Sequence, residues 1–290
     1  MVCQNDGNIE LLYIVTAICA ILSLIGCIFT LLIYFIAKEL RVYAFKLVAY
    51  LAFCDLVKSL AIIIPSYKGE LLDYFCSTQG FFLVSFSLSN LIWVLAISVS
   101  LVQVVVYKVQ DVEKYHKYWI LLSFVFAPGL CSLPLITQSY GNVYTWCTLK
   151  VEGDAQVWIY IIDFVPRWIS IFLILGCYIK IYYYIKKHPD LIEDDKLFLG
   201  RMVAYPALIL VAFIPLTILR VLQAHAKECG YFYLALSAYT SFSLYGFLNA
   251  IAYGYNESVS LYIKNLFSSK HKLIQHKSTD LFSTFNEVIN

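Results

Sequence analysis

The sequence predicts an all-α membrane protein, a seven-transmembrane helix bundle with a short C-terminal interfacial helix. Three observations carry this. Of 290 residues, 61% are hydrophobic and 14% are charged, whereas a soluble domain carries about 25% charge to cover its surface. Seven stretches, 11–37, 44–65, 80–106, 119–136, 157–185, 202–224 and 232–255, are mostly apolar over roughly the 20 residues needed to cross a hydrocarbon core. Lys and Arg cluster in alternate connections. The composition excludes a soluble enzyme, a binder of nucleic-acid polymers and a disordered chain, and no alternating segments of about ten residues suggest a transmembrane barrel.

The elements follow in order. Residues 1–10 form a short tail with Asp6 and Glu10; it has no cleavable-signal pattern, so the first apolar stretch serves as its own insertion signal. That stretch ends at Lys38-Glu39-Leu40-Arg41, and the second, holding Asp55 and Lys58, ends at Pro65. The third begins beyond Cys76, carries Asn90 and runs out at Tyr107-Lys108. The fourth is followed by a loop with Cys147. The fifth holds Asp163, Pro166 and Arg167 and stops at Lys186-Lys187-His188-Pro189. Pro206 and Pro215 break the backbone ladder of the sixth at two points, and the seventh carries Asn249 and Tyr253. Residues 11–255 thus form the bundle. In 256–270, Val259, Tyr262, Ile263, Leu266 and Phe267 recur at helical spacing with Lys264 and Lys270 opposite, the pattern of a helix lying in the interface. Residues 271–290 read as a flexible cytoplasmic tail.

Charge sets the orientation. With the N-terminus outside, fifteen Lys and Arg fall in cytoplasmic connections and the tail, against three outside (Lys68, Lys150 and Lys227). The predicted location is the plasma membrane, with the C-terminus in the cytoplasm. The short outer tail leaves an extracellular small ligand only the bundle and its loops to bind. Cys3, Cys76, Cys147 and Cys229 fall on the oxidising side. A Cys76–Cys147 bridge would pin the loop after the fourth span over the bundle mouth. Cys3 and Cys229 are then left to pair or to stay free.

Three rivals are tested by residue type. A retinal protein needs a lysine in the seventh span, and none is present. The five histidines lie in loops, at span ends or in the tail, so no embedded metal and no cofactor is expected. No repeat between halves suggests a transporter. A ligand-operated signalling receptor without enzymatic activity remains, with a seven-helix transporter or channel as the alternative.

Several residues stand out chemically. A mid-span carboxylate such as Asp55 is costly unless paired, and Lys58 one turn on shares its face. Asn90 and Asn249 offer further partners, and Asn249 and Tyr253 lie on one face at i and i+4. Asp55, Lys58, Asn90, Phe213, Pro215, Asn249 and Tyr253 are therefore read as a polar switch network around a proline-kinked sixth helix, with a purely structural network that joins the helices as the alternative. The pattern resembles the sodium site of rhodopsin-like receptors, with two departures: Lys58 itself supplies a cation, and Ala250 stands where proline usually follows the Asn. Asp163 and Arg167 are placed to pair, and with Arg220 and Lys150 they are the donors and charges available to an anionic ligand at the outer end. The alternative is that Arg220 snorkels to headgroups and Arg167 only satisfies Asp163.

Distributed motifs add a resemblance. Gly26-Cys27-Ile28-Phe29, Ala44-Phe45-Lys46-Leu47-Val48, Cys76-Ser77-Thr78-Gln79-Gly80-Phe81-Phe82, Pro134 to Gly141, Trp146-Cys147, Tyr205-Pro206 with Pro215, and Gly246 to Gly254 occur in order. In these the chain resembles the cyclic-AMP-receptor-like G-protein-coupled receptors, over roughly residues 20–265. The resemblance implies a Cys76–Cys147 disulfide and coupling to a heterotrimeric G protein. Arg41, Lys108, Lys114, Lys186, Lys187 and Arg201 form the basic rim expected to face that partner or anionic lipid. No Asp-Arg-Tyr triplet ends the third span, so rhodopsin-like coupling chemistry does not transfer.

Overall fold

The computed structural model describes residues 6–38, 41–66, 73–109, 111–143, 145–151, 153, 155–188, 204–225, 231–254 and positions 259, 262 and 264. Among these, seven long helices form the chain: α1 (Asp6–Ile36), α2 (Tyr43–Ile63), α3 (Asp73–Val105), α4 (Glu113–Ile136), α5 (Ala155–Lys187), α6 (Ala204–His225) and α7 (Phe232–Gly254). A hairpin of β1 (Tyr140–Val143) and β2 (Trp146–Leu149) sits between α4 and α5. The helices α1, α3, α4 and α5 are long and apolar enough to cross a membrane. In α2 the charges of Lys46, Asp55 and Lys58 lower the mean hydropathy, and in α7 its many Tyr and Ser and Asn249 do so.

The bundle is organised around α3. Its residues are buried around nearly the whole circumference, with Trp93, Val94 and Ala96 fully enclosed, as befits a helix that is apolar on all sides. The sequence places its start at residue 80, whereas the helix begins at Asp73. In Asp73–Thr78 the polar Asp73, Ser77 and Thr78 flank Tyr74, Phe75 and Cys76 and shorten the apolar run, but an acid in the first turn complements the exposed N–H groups, and Cys76 is anchored there.

Small residues bring α1 against α7. A Cβ on Gly26 would lie 2.8 Å from Ala250 Cβ and 3.3 Å from Phe247 Cα. Ser23 Oγ donates to Ser243 O at 2.5 Å and accepts the Phe247 N–H at 3.1 Å. Close backbone approach with interhelical hydrogen bonds is how helices associate where lipid offers no hydrophobic drive. The Gly26→Leu variant is expected to lose about 1–3 kcal/mol through overpacking, measured as a lower melting temperature in detergent. Gly176→Leu, with nothing within 4 Å of its Cβ position, should not destabilise the protein, and an equal loss there would refute the packing account.

Two helices widen by one π turn, Leu122–Phe126 in α4 and Ile159–Phe164 in α5. Each precedes a proline, Pro128 and Pro166 respectively. Proline has no N–H, and its ring collides with the carbonyl four residues back, so a wider turn lets the helix continue. In α4, Ser89 Oγ of α3 donates to Ser123 O at 2.6 Å, satisfying a carbonyl of the widened turn. In α6, Pro215 is interior to the helix, the position at which a proline breaks the backbone ladder.

The hairpin, which the sequence reading treats as loop, is antiparallel and pairs Tyr140 with Leu149 and Asn142 with Cys147. A Cys76–Cys147 disulfide fastens it to α3 with a Cα–Cα separation of 5.2 Å. Of the expected interfacial helix, Val259 is buried, Tyr262 half-buried and Lys264 exposed, all in helical conformation. The rest of 256–270, the tail 271–290 and the first five residues lie outside the described residues.

Candidate functional site

The bundle centre is built on Asp55. Its side chain is fully buried; Oδ1 accepts from Lys58 Nζ at 2.6 Å and Oδ2 from Asn249 Nδ2 at 2.9 Å. Lys58 is 1% exposed and its ammonium lies 4.9 Å from the ring centroids of both Phe242 and Tyr245. The carboxylate is thus neutralised from within its own helix, and the aromatic faces add cation–π attraction in a desolvated setting. Lys58 holds the place that a free cation would occupy beside Asp55. Gly246 makes the meeting of α2 and α7 possible: a Cβ there would come 3.0 Å from Asp55 Cβ and 3.1 Å from Cys27 Sγ.

Two expected members stand apart. Asn90 is buried on α3, but its Nδ2 has no hydrogen-bond partner among the described residues and no bond links it to Asp55. Tyr253 is buried with its ring edge-on to Phe45 at 5.4 Å, and its hydroxyl has no partner among the described residues. In this conformation the network is Asp55, Lys58 and Asn249.

Nearer the hairpin, a cavity is lined by Asp163, Arg167 and Arg220 together with Ser87, Trp146 and Tyr239. Arg167, only 6% exposed, donates through Nη2 to Asp163 Oδ1. Its Nε and Nη1 have no hydrogen-bond partner among the described residues. The π turn of α5 carries Asp163 and the following turn carries Arg167. Two guanidinium groups and one carboxylate leave a net positive cavity, suited to an anion held by planar, charge-assisted donors. The hairpin roofs it, with Trp146 packed against Tyr239 at 4.9 Å.

The cavity and the bundle centre are joined by aromatic rings. The Arg167 guanidinium carbon lies 3.9 Å from the Phe213 centroid, and Phe213 sits 5.9 Å from both Phe242 and Tyr245. Those are the rings under Lys58. Two buried cations therefore rest on different members of one aromatic cluster drawn from α6 and α7, with Phe213 two residues before Pro215.

Sequence reasoning singled out neither Phe242 and Tyr245 nor Gln79. The Gln79 amide donates to Ala61 O at 2.7 Å and Ile64 O at 2.8 Å, and its oxygen accepts the Cys147 N–H at 3.0 Å. Gln79 stands one residue before the apolar stretch 80–106, so no span position marked it.

The remaining candidates are placed elsewhere. Lys150 does not join the arginines; it lines a separate cleft and donates to Gln138 O at 3.0 Å. Arg41 turns back onto the end of α1, reaching Tyr34 O at 3.3 Å and Phe35 O at 2.5 Å, which satisfies the terminal carbonyls. Lys108 adopts a left-handed backbone (φ 55°) and lies 5.8 Å over the Tyr184 ring. Beside it, Lys180 donates to the Tyr107 hydroxyl. Lys114 stacks on Tyr115 at 4.9 Å, Lys186 and Lys187 are exposed in the last turn of α5, and Arg201 lies outside the described residues.

Residues 3–284 match the family described as the slime mold cyclic AMP receptor. Cyclic AMP receptor-like protein A of Dictyostelium discoideum is 25% identical over 240 residues, 81% of this chain and 62% of that protein. G-protein coupled receptor 1 of Arabidopsis thaliana is 27% identical over 256 residues, 82% of this chain and 76% of that protein. Ascaroside receptor GPR3 of Arthrobotrys oligospora is 29% identical over 177 residues, 56% of this chain and 42% of that protein. The chain thus spans less than two thirds of the first of these relatives. With a match over almost its full length, and with apolar helices and a hairpin held by Cys76–Cys147, the chain belongs to the slime mold cyclic AMP receptor family.

Proposed function

We propose that the chain is a seven-span plasma-membrane receptor that binds a small anionic ligand in the Arg167 cavity and promotes nucleotide exchange on a heterotrimeric G protein. The carrying observation is Arg167, a buried guanidinium that lines the cavity, has two nitrogens without a hydrogen-bond partner among the described residues and lies against the Phe213 ring. An anion bound there competes with Asp163 for the guanidinium. Shifting Arg167 then repacks Phe213, Phe242 and Tyr245, and with them Lys58 and its hold on Asp55. The Pro215 bend lets the inner half of α6 respond, and the ligand acts by favouring one of two packings. The alternating positive-inside charge supports the N-terminus outside and C-terminus inside, with the basic rim toward the G protein. The relatives' names make cyclic AMP the first ligand to test.

The test is binding of a GTP analogue to G protein in membranes holding the chain, with and without cyclic AMP. Exchange that rises with cyclic AMP, and responds less in Phe213→Leu, is the expected result. Exchange unresponsive to cyclic AMP removes that ligand. No exchange from folded protein with any G protein removes the coupling and leaves a solute-flux assay as the next measurement.

A further inference from the structure

A second cleft opens on the bundle's outer flank, between the first turns of α3, the end of α4 and β1. Its volume is about 920 Å³. Both helices are of membrane-crossing length and composition, so the hairpin-side ends bordering the cleft stand at a membrane–water boundary. Tyr74, which lines the cleft, is 77% exposed, as an interfacial aromatic facing headgroups is.

The cleft is amphipathic and zwitterionic. Phe81, Phe82 and Leu135 form an apolar part, and Asp73 and Lys150 contribute one charge of each sign. Among the described residues neither Asp73 nor Lys150 is in an ion pair. The Lys150 ammonium uses one N–H on Gln138 O, leaving two for an acceptor. Its position depends on Gly141: a Cβ there would meet Lys150 Cε at 2.5 Å and Cγ at 3.1 Å. The lysine stem lies across β1 where a side chain is missing.

We propose that this cleft holds a zwitterionic phospholipid of the adjoining leaflet. Its phosphate sits on Lys150, its quaternary ammonium by Asp73 and the Tyr74 ring, and an acyl chain lies along Phe81, Phe82 and Leu135. Charge complementarity selects this occupant: an anionic headgroup meets Asp73 without a counter-charge, and a sterol hydroxyl cannot engage both groups. The proposal rests on the membrane-spanning reading of the helices and not on any ligand or G protein.

The full chain, purified and placed in nanodiscs of equal phosphatidylcholine, phosphatidylglycerol and cholesterol, is released by detergent and weighed intact by native mass spectrometry. One phosphatidylcholine retained per chain, above the other two, is the expected result. Lys150→Ala and Asp73→Asn, both at exposed side chains, should each lower retention roughly tenfold. Gly141→Ala, which keeps the charge but displaces the lysine stem, should lower it too. Equal or greater retention of phosphatidylglycerol or cholesterol overturns the proposal, as does retention unchanged in Lys150→Ala and Asp73→Asn. If a variant fails to fold, the lipid preference of the unaltered chain decides. Because no agonist or G protein enters the assay, its failure is separable from failure of the receptor reading.

Discussion

Asp55→Asn is expected to destabilise the protein by about 3–5 kcal/mol, because it leaves the Lys58 ammonium buried without its counter-charge. Lys58 is 1% exposed, and among the described residues Asp55 is the carboxylate that it pairs with. The two aromatic rings at 4.9 Å attract the ammonium but do not neutralise it. The readout is the yield and melting temperature of purified receptor. The double variant Asp55→Asn/Lys58→Met should recover most of the loss, since replacing both members of a buried pair by neutral groups of similar volume is often near neutral. Recovery of stability with altered basal exchange is the result expected of a switch pair. Recovery with unchanged basal and stimulated exchange assigns the pair to helix packing alone.

Arg167→Leu is expected to reduce agonist potency roughly 30- to 150-fold, the equivalent of losing about 2–3 kcal/mol of charge-assisted hydrogen bonding. Its guanidinium does two things at once, donating to Asp163 and lying 3.9 Å over the Phe213 ring. Lysine offers a point charge on a flexible stem, with neither a second planar donor nor a planar face for the ring. Arg167→Lys should therefore keep surface expression and lose most of the response. Phe213→Leu removes the ring but leaves the cavity's charges, so ligand binding should persist while its coupling to exchange falls. Full potency in Arg167→Lys would exclude bidentate recognition.

The helical segments were largely legible because each long apolar run has only one way to satisfy its backbone in lipid. The Asp55–Lys58 pair was legible for a related reason: i,i+3 spacing brings two costly charges together without knowledge of any other helix. Membership of the wider network was not. Asn90 has the right chemistry and the wrong place, while Phe242 and Tyr245 are ordinary apolar-face residues until α2 packs beneath them. The start of α3 was hidden because Ser77, Thr78 and Gln79 separate Tyr74, Phe75 and Cys76 from the apolar run, and the hairpin because its strands, four residues each, carry little periodic signal.

Sequence alone determined the class of this protein, the orientation that charge favours, the buried ion pair and the arginines that could serve a ligand. These follow from local rules: hydrocarbon thickness, the cost of charge in lipid and residue spacing on one helix. Tertiary structure alone decided which of those residues share a site. It separated Lys150 from Arg167, turned Arg41 back onto the end of α1, and set two buried cations against one aromatic cluster. Such contacts join residues far apart in the chain, and their distances depend on how closely helices approach. That approach is governed at Gly26 and Gly246 by the missing Cβ, a steric fact with meaning only once the opposing helix is in place.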